Sequence, residues 1–328
     1  VSRLNLTFAC GKYDRMEALR TGDVSVEGVD LNYVAIEHPR EIFDRMGGGK
    51  EFDAAEFSSS EFIGLMARGD RSFVALPVFP SRVFRHSFIY INRRSGIRAP
   101  KDLEGKRVGV ALYTQTAAVW IRGHLAHQYG VDLATIRWVE GAIEKAGQHG
   151  EPHAPPLLKP VTIERNHTGH SLTELLAAGE IDALFGSRRP TARHPDVAPL
   201  FADAKAVEQA YFRETGIFPI MHLVAMRRDV YERHPWIATS LYNACVVAKN
   251  WARARLKEHG ALRYMLPWQH FHVDEIEDVF GGDPWPYGVE ANRPTLTALV
   301  QYMAEQHLIA KPVPLEELFV PLPGAIGS

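Results

Sequence analysis

Two segments far apart in the chain read alike, and together they restrict the fold more than any other feature. Gly49-Lys50-Glu51-Phe52-Asp53-Ala54 and Gly179-Glu180-Ile181-Asp182-Ala183 each follow a short helical stretch, and each runs into an apolar strand that ends in polar residues. A helix, a tight Gly turn and a strand used twice suit two α/β lobes on one plan. The loops 56–60 and 187–190 then lie at the carboxyl ends of their strands and face a common ligand cleft. The length of 328 residues asks for the same thing, because a single hydrophobic core rarely grows past ~250–300 residues.

Strand-like apolar runs are predicted at 5–9, 30–36, 52–57, 73–78, 86–91, 106–111 and 181–185 from composition and alternation. Helices are expected from Met16, from His38-Pro39-Arg40-Glu41 through Met46 before Gly47-Gly48-Gly49, over 61–68 after Ser58-Ser59-Ser60, and over 117–129 after Leu112-Tyr113-Thr114-Gln115-Thr116. A turn with two arginines is expected over 79–85. The stretch 141–166, rich in Pro and Gly, reads as an exposed insertion. Ser171 and Glu174 have the form of a capping box. Beyond residue 227 the chain reads as mainly helical, over 231–258, 268–280 and 293–307. Crossings between lobes are expected near 88–95 and 210–220, which assigns residues 1–92 and 220–328 to lobe 1 and 93–219 to lobe 2.

With 46% hydrophobic and 23% charged residues and a net charge of −2, nothing marks disorder, a nucleic-acid footprint or attraction to an anionic membrane. No run approaches the ~20 apolar residues of a membrane span. Val1-Ser2-Arg3-Leu4 leads directly into a strand without a signal-peptide pattern, and Cys10 and Cys245 are too few for a disulfide framework. A reducing, cytoplasmic setting is therefore expected. A charged ligand has to be met by a local cluster.

In Gly216-Ile217-Phe218-Pro219-Ile220-Met221-His222, a Gly, a rigid Pro and a His interrupt a run of strand formers. A site fits this pattern, and so does a buried strand whose His is satisfied in the core. Arg82, Arg85, Arg188 and Arg189 stand in loops of both lobes, and a guanidinium matches a carboxylate with two parallel hydrogen bonds. Solvated surface arginines account for the same residues. Ser58, Ser59 and Ser60, and Thr114, Gln115 and Thr116 beside Tyr113, each precede a helix and can aim N–H groups and hydroxyls at an anion, or act simply as caps. Lys12, Glu56, His86 and His222 sit near strand ends as candidates for proton transfer, His being favoured near neutral pH. His167/His170 and His270/His272 lack a carboxylate at a diagnostic offset, so no metal site is expected. No P-loop, G-x-G-x-x-G or G-x-S-x-G occurs, so nucleotide, dinucleotide and serine-hydrolase functions lack support.

From Tyr211-Phe212-Arg213-Glu214-Thr215-Gly216 through His222 the chain resembles the 4,5-dihydroxyphthalate decarboxylase family. The likeness continues at Arg228-Asp229-Val230-Tyr231-Glu232-Arg233-His234-Pro235-Trp236, Trp285-Pro286-Tyr287-Gly288-Val289-Glu290-Ala291-Asn292-Arg293 and Glu316-Glu317-Leu318-Phe319. Phe84-Arg85-His86-Ser87 and the segment 179–184 are similar too, whereas 141–170 departs. The resemblance implies an α/β, two-lobed type II periplasmic-binding-protein-like fold with two crossovers. It also implies a carboxy-lyase of aromatic degradation that turns 4,5-dihydroxyphthalate into 3,4-dihydroxybenzoate and CO2 without a cofactor. Its partner is then a small aromatic dicarboxylate, with no nucleic acid and no membrane, and a homo-oligomer is left open.

The hydroxyl para to the departing carboxylate is the electron sink, since its deprotonation makes the ring-protonated intermediate a neutral dienone. On this reading Arg85 and Arg188 hold the carboxylates, and His222 or His86 protonates the ring carbon. Glu56 or Lys12 takes the phenolic proton. Arg82, Ser58, Ser59, Tyr113, Thr114, Gln115, Thr116, Ser187 and Phe218 complete the substrate contacts. Because most proteins of this architecture only bind ligands, a solute-binding protein for an aromatic acid, serving an ABC-type transporter, is the alternative. A related decarboxylase of another hydroxylated aromatic acid is a third reading.

Overall fold

Strand and helix alternate through much of the computed structural model, which describes residues 3–147, 149–150, 156–191, 194–258 and 260–328. Among these residues eleven strands form: β1 Leu4–Cys10, β2 Val29–Ala35, β3 Ala54–Ser58, β4 Phe73–Arg82, β5 Ile89–Asn92, β6 Arg107–Val110, β7 Arg137–Glu140, β8 Ile163–Arg165, β9 Ala183–Phe185, β10 Val197–Pro199 and β11 Ile220–Arg227. They make two sheets, ordered β2-β1-β3-β11-β4 and β10-β5-β9-β6-β7-β8. The chain divides into two compact units. The first holds Val1–Arg82, Phe212–Thr297 and Val313–Ser328, the second Val83–Tyr211 and Ala298–Pro312. These boundaries fall earlier than the expected 92/93 and 219/220, and 298–312 count with the second unit.

In the first unit β1 runs parallel to both β2 and β3, whereas β11 is antiparallel to β3 and β4. One end of this sheet therefore gathers the carboxyl ends of β1, β3 and β4 with the start of β11. Every residue of β3 is buried, because the strand is central and covered on both faces. The helix Asp14–Thr21 packs on the helix Trp236–Leu256. In the second unit β6 is parallel to β7 and β9, β7 to β8, and β5 is antiparallel to β9 and β10. Its core joins Ala111, Val139, Leu172, Leu176, Ile181 and Leu184. The carboxyl ends of β6 and β9 and the start of β5 again share one end.

Several local expectations need correction. The strand expected over 73–78 continues to Arg82, because β11 pairs with it as far as Ile220 opposite Arg82, with register shifts either side of His222. The expected strand over 86–91 begins only at Ile89. Phe88 N–H bonds back to Arg85 O and Ser87 N–H to Glu208 Oε1, which winds 86–88 into one tight turn. The helix expected over 231–258 is two, Arg228–Arg233 and Trp236–Leu256. It breaks at His234, since a residue before proline is steered out of the helical region. Within 141–166, Ile163–Arg165 pairs with β7; Gln148 and 151–155 lie outside the described residues. The helix Ala204–Thr215, which the sequence pattern did not mark, ends at Gly216, whose N–H bonds to Phe212 O at 2.8 Å with φ of 65°. Only glycine takes that conformation at little cost. The capping box at Ser171 and Glu174 forms.

Candidate functional site

The first unit builds its polar centre from β1, β3 and β11. His222 lies opposite Ser58, and Val224 opposite Glu56. Alternation along β3 puts Glu56 and Ser58 on one face, so His222 is the diagonal neighbour of Glu56 on that face. Its Nδ1 stands 2.5 Å from Glu56 Oε1. The same oxygen accepts the Tyr13 hydroxyl at 2.7 Å, and Oε2 accepts Gly11 N–H at 3.0 Å and faces Cys10 Sγ at 3.5 Å. Glu56 is wholly buried. Burial alone would raise its pKa, but the His222 contact, followed by the Tyr13 and Gly11 hydrogen bonds, outweighs it and holds the carboxyl below its usual 4.5. The group is thus a carboxylate that fixes the His222 ring, which also rests edge-on against Phe43 at 4.8 Å. His222 keeps 18% exposure, and its Nε2 has no hydrogen-bond partner among the described residues. A ring held at Nδ1 and open at Nε2 can give or take one proton there.

Around this pair stand the other predicted residues of the unit. Ser58 caps the helix Ser59–Ala67, its Oγ accepting Glu61 N–H at 3.5 Å. Ser59 is buried at the first turn, and its Oγ has no hydrogen-bond partner among the described residues. Arg82, buried at the end of β4, donates through Nη2 to Phe218 O at 2.9 Å and lies over the Phe218 ring at 4.7 Å. Its Nε is unpartnered among the described residues, and burial pushes its pKa down to about 9. Lys12 follows Gly11 but stands exposed, 3.8 Å from Glu37, and joins none of these contacts. Tyr13 and Arg15 were missed. Arg15 is layered between Tyr13 and Trp285, 4.3 Å from each ring. The signal was there in the polar break 10–15 directly after β1.

In the second unit, Arg85 is buried and its Nη1 donates to Ser187 O at 3.4 Å. Burial lowers its pKa to about 9. The Phe88 ring lies 4.8 Å from the Arg85 guanidinium and 5.5 Å from that of Arg189, and Arg188 between Ser187 and Arg189 is exposed. This turn closes only with Gly186, where a Cβ would come within 2.5 Å of Arg188 O. Gln115 and Thr116 open the helix Thr116–Tyr129, with Gln115 Nε2 3.3 Å from His149 Nε2 and Thr114 just ahead. Parallel pairing of β6 with β9 brings 112–116 and 186–190 out of the same sheet end.

Two predicted residues of this unit face inward. Tyr113 is buried, with its N–H on Glu140 Oε2 at 2.8 Å and its ring 3.7 Å beneath the Arg122 guanidinium. His86, 1% exposed, is stacked on His124 at 4.7 Å, with Nε2 2.8 Å from Gln128 Oε1; burial lowers its pKa. Among the described residues no group of three or more His, Cys, Asp or Glu gathers as a metal cage.

The fold is that of the periplasmic binding proteins. The aliphatic sulphonate-binding protein of Escherichia coli aligns over 100% of this chain and 95% of its own with a TM-score of 0.56 at 13% identity. A protein of Archaeoglobus fulgidus covers 93% of this chain and 98% of its own with a TM-score of 0.53 at 12% identity. No family model matches the chain. The 4,5-dihydroxyphthalate decarboxylase of Comamonas testosteroni is 35% identical over 324 residues, 98% of each chain. That of Pseudomonas putida is 37% identical over 216 residues, 65% of this chain and 83% of its own. The chain belongs to the 4,5-dihydroxyphthalate decarboxylase family.

Proposed function

We propose that the protein decarboxylates 4,5-dihydroxyphthalate to 3,4-dihydroxybenzoate and CO2 in the cytoplasm. The identity that runs along 98% of both chains carries this reading. Among the described residues no helix is long and apolar enough to cross a membrane. The held and half-open ring of His222 supports its role as the acid. Its Nε2 gives a proton to the ring carbon that bears the departing carboxylate while the para hydroxyl loses its own. The neutral dienone then breaks its bond to the carboxylate carbon, and that electron pair restores the aromatic ring and leaves a phenolate, which takes up a proton. The ring is its own electron sink, so the scheme asks for no organic cofactor.

Glu56, with both oxygens engaged inside the sheet, orients His222, and the phenolic proton passes to solvent. Arg85 and Arg188 are the proposed carboxylate ligands, as bidentate donors. The buried stack of His86 on His124 speaks for a structural role there.

The test is incubation of chelator-treated protein with 4,5-dihydroxyphthalate while CO2 and 3,4-dihydroxybenzoate are followed together. Stoichiometric release over many turnovers is expected, and it should fall about 100-fold or more in His222→Asn with substrate affinity kept. Tight binding without turnover would instead make the chain a solute-binding protein.

A further inference from the structure

The segment that follows the long helix Trp236–Leu256 turns its apolar side chains outward. Met265 is fully exposed, Trp268 is 64% and Phe271 61% exposed, and Leu262, Tyr264 and Leu266 are exposed beside them. The loop is held in this form. Leu266 N–H bonds to Tyr264 O at 2.8 Å, Gln269 N–H to Leu266 O at 3.0 Å, and the buried Gln269 side chain ties the turn to Leu256 O at 2.9 Å. At roughly 200 Å² for a large side chain, these six residues expose about 700 Å², polar atoms included. With a polar rim this approaches the ~800 Å² per partner of a stable interface.

The rim is self-complementary. Arg263 in the loop, and Asp274 and Asp278 on the helix Gln269–Phe280, have no ion-pair partner among the described residues. In a two-fold interface every contact occurs twice, so the loop of each copy brings its arginine to the acidic helix of the other.

We propose that residues 262–278 dock against the same segment of a second copy of this chain. The proposal is independent of the activity assigned above. Sedimentation across the micromolar range is expected to show the wild type as a dimer, or as a larger assembly built on dimers. A Met265→Asp, Trp268→Asp double variant should associate about 100-fold more weakly with an unchanged far-ultraviolet circular dichroism spectrum. A wild type that stays monomeric, or a folded double variant that assembles as the wild type does, would overturn the proposal. A monomer that co-sediments with phosphatidylglycerol vesicles would also overturn it and give the patch to a lipid surface.

Discussion

Glu56 carries the organisation of the first unit at the scale of one residue. Four donors converge on it, two on each oxygen, and a buried carboxylate is stable only when so satisfied. Glu56→Gln keeps the shape but turns one acceptor into a donor that faces a donor. Turnover should fall about 100-fold or more as the His222 ring loses its fixed orientation. Stability at pH 7 should drop by ~1–3 kcal/mol from the unsatisfied contacts. The folded pKa of Glu56 lies below 4.5, so its stabilisation is present above that value and is lost as pH falls through the folded pKa. Urea unfolding at neutral pH and again well below pH 4.5 should therefore show the gap between wild type and variant closing; a constant gap would mean that Glu56 does not carry the charge assigned to it. Glu56 and His222 were both picked out in the sequence as polar residues near strand ends, and the fold brings them into contact. Tyr13 was not singled out: the polar break 10–15 after β1 marks its loop, but nothing in a loop aromatic says whether it turns to a site or to the core. Tyr113 shows the opposite outcome, its ring packing beneath Arg122.

At the scale of elements, the joint between β3 and the helix Ser59–Ala67 separates a folding role from a binding role. Ser58 makes the cap, whereas the buried hydroxyl of Ser59 makes no hydrogen bond among the described residues. A helix N-terminus with a spare donor suits a carboxylate. Removing an unsatisfied buried hydroxyl costs the fold little, so Ser59→Ala should leave the Tm unchanged or slightly raised. If Ser59 meets the substrate, the same variant should raise KM about 10-fold with kcat little changed, as expected of ground-state binding. A lowered Tm with unchanged KM would reverse the assignment. The strands of the first sheet, and β5, β6 and β9 of the second, were readable from short apolar runs bounded by turns, whereas β7, β8 and β10 were not marked. The helix Ala204–Thr215 was missed, although Ala204, Val207 and Tyr211 recur at helical spacing on one face, of which Tyr211 alone is fully buried. Strand β8, three residues inside a Pro- and Gly-rich stretch, is set by pairing with β7 rather than by its own composition.

At the scale of the molecule, the two units should answer acid differently. In the second unit His86 and His124 are stacked, and both nitrogens of His124 and Nδ1 of His86 have no hydrogen-bond partner among the described residues. Burial lowers both pKa values, His124 far more. His86, Arg85 and His127 lower it further at His124, while at His86 the Gln128 hydrogen bond and Glu208 oppose the shift. The folded unit thus prefers both rings neutral, and the unfolded chain binds protons first as pH drops past the ordinary value of 6.5. Stability is full above 6.5 and is lost below it until the folded pKa values are reached, at up to about 2.7 kcal/mol per pH unit for two rings. The stabilisation from Glu56 in the first unit begins to be lost only below 4.5. Acidification should therefore weaken the second unit first, which the buried Trp120, packed on His124, reports by its fluorescence. In His124→Leu the dependence of unfolding free energy on pH between 6.5 and 5 should fall by about half. Stability at pH 7 should hold or rise, because two unpartnered nitrogens give way to an apolar side chain. Equal slopes in wild type and variant would show that the stacked pair does not govern the response.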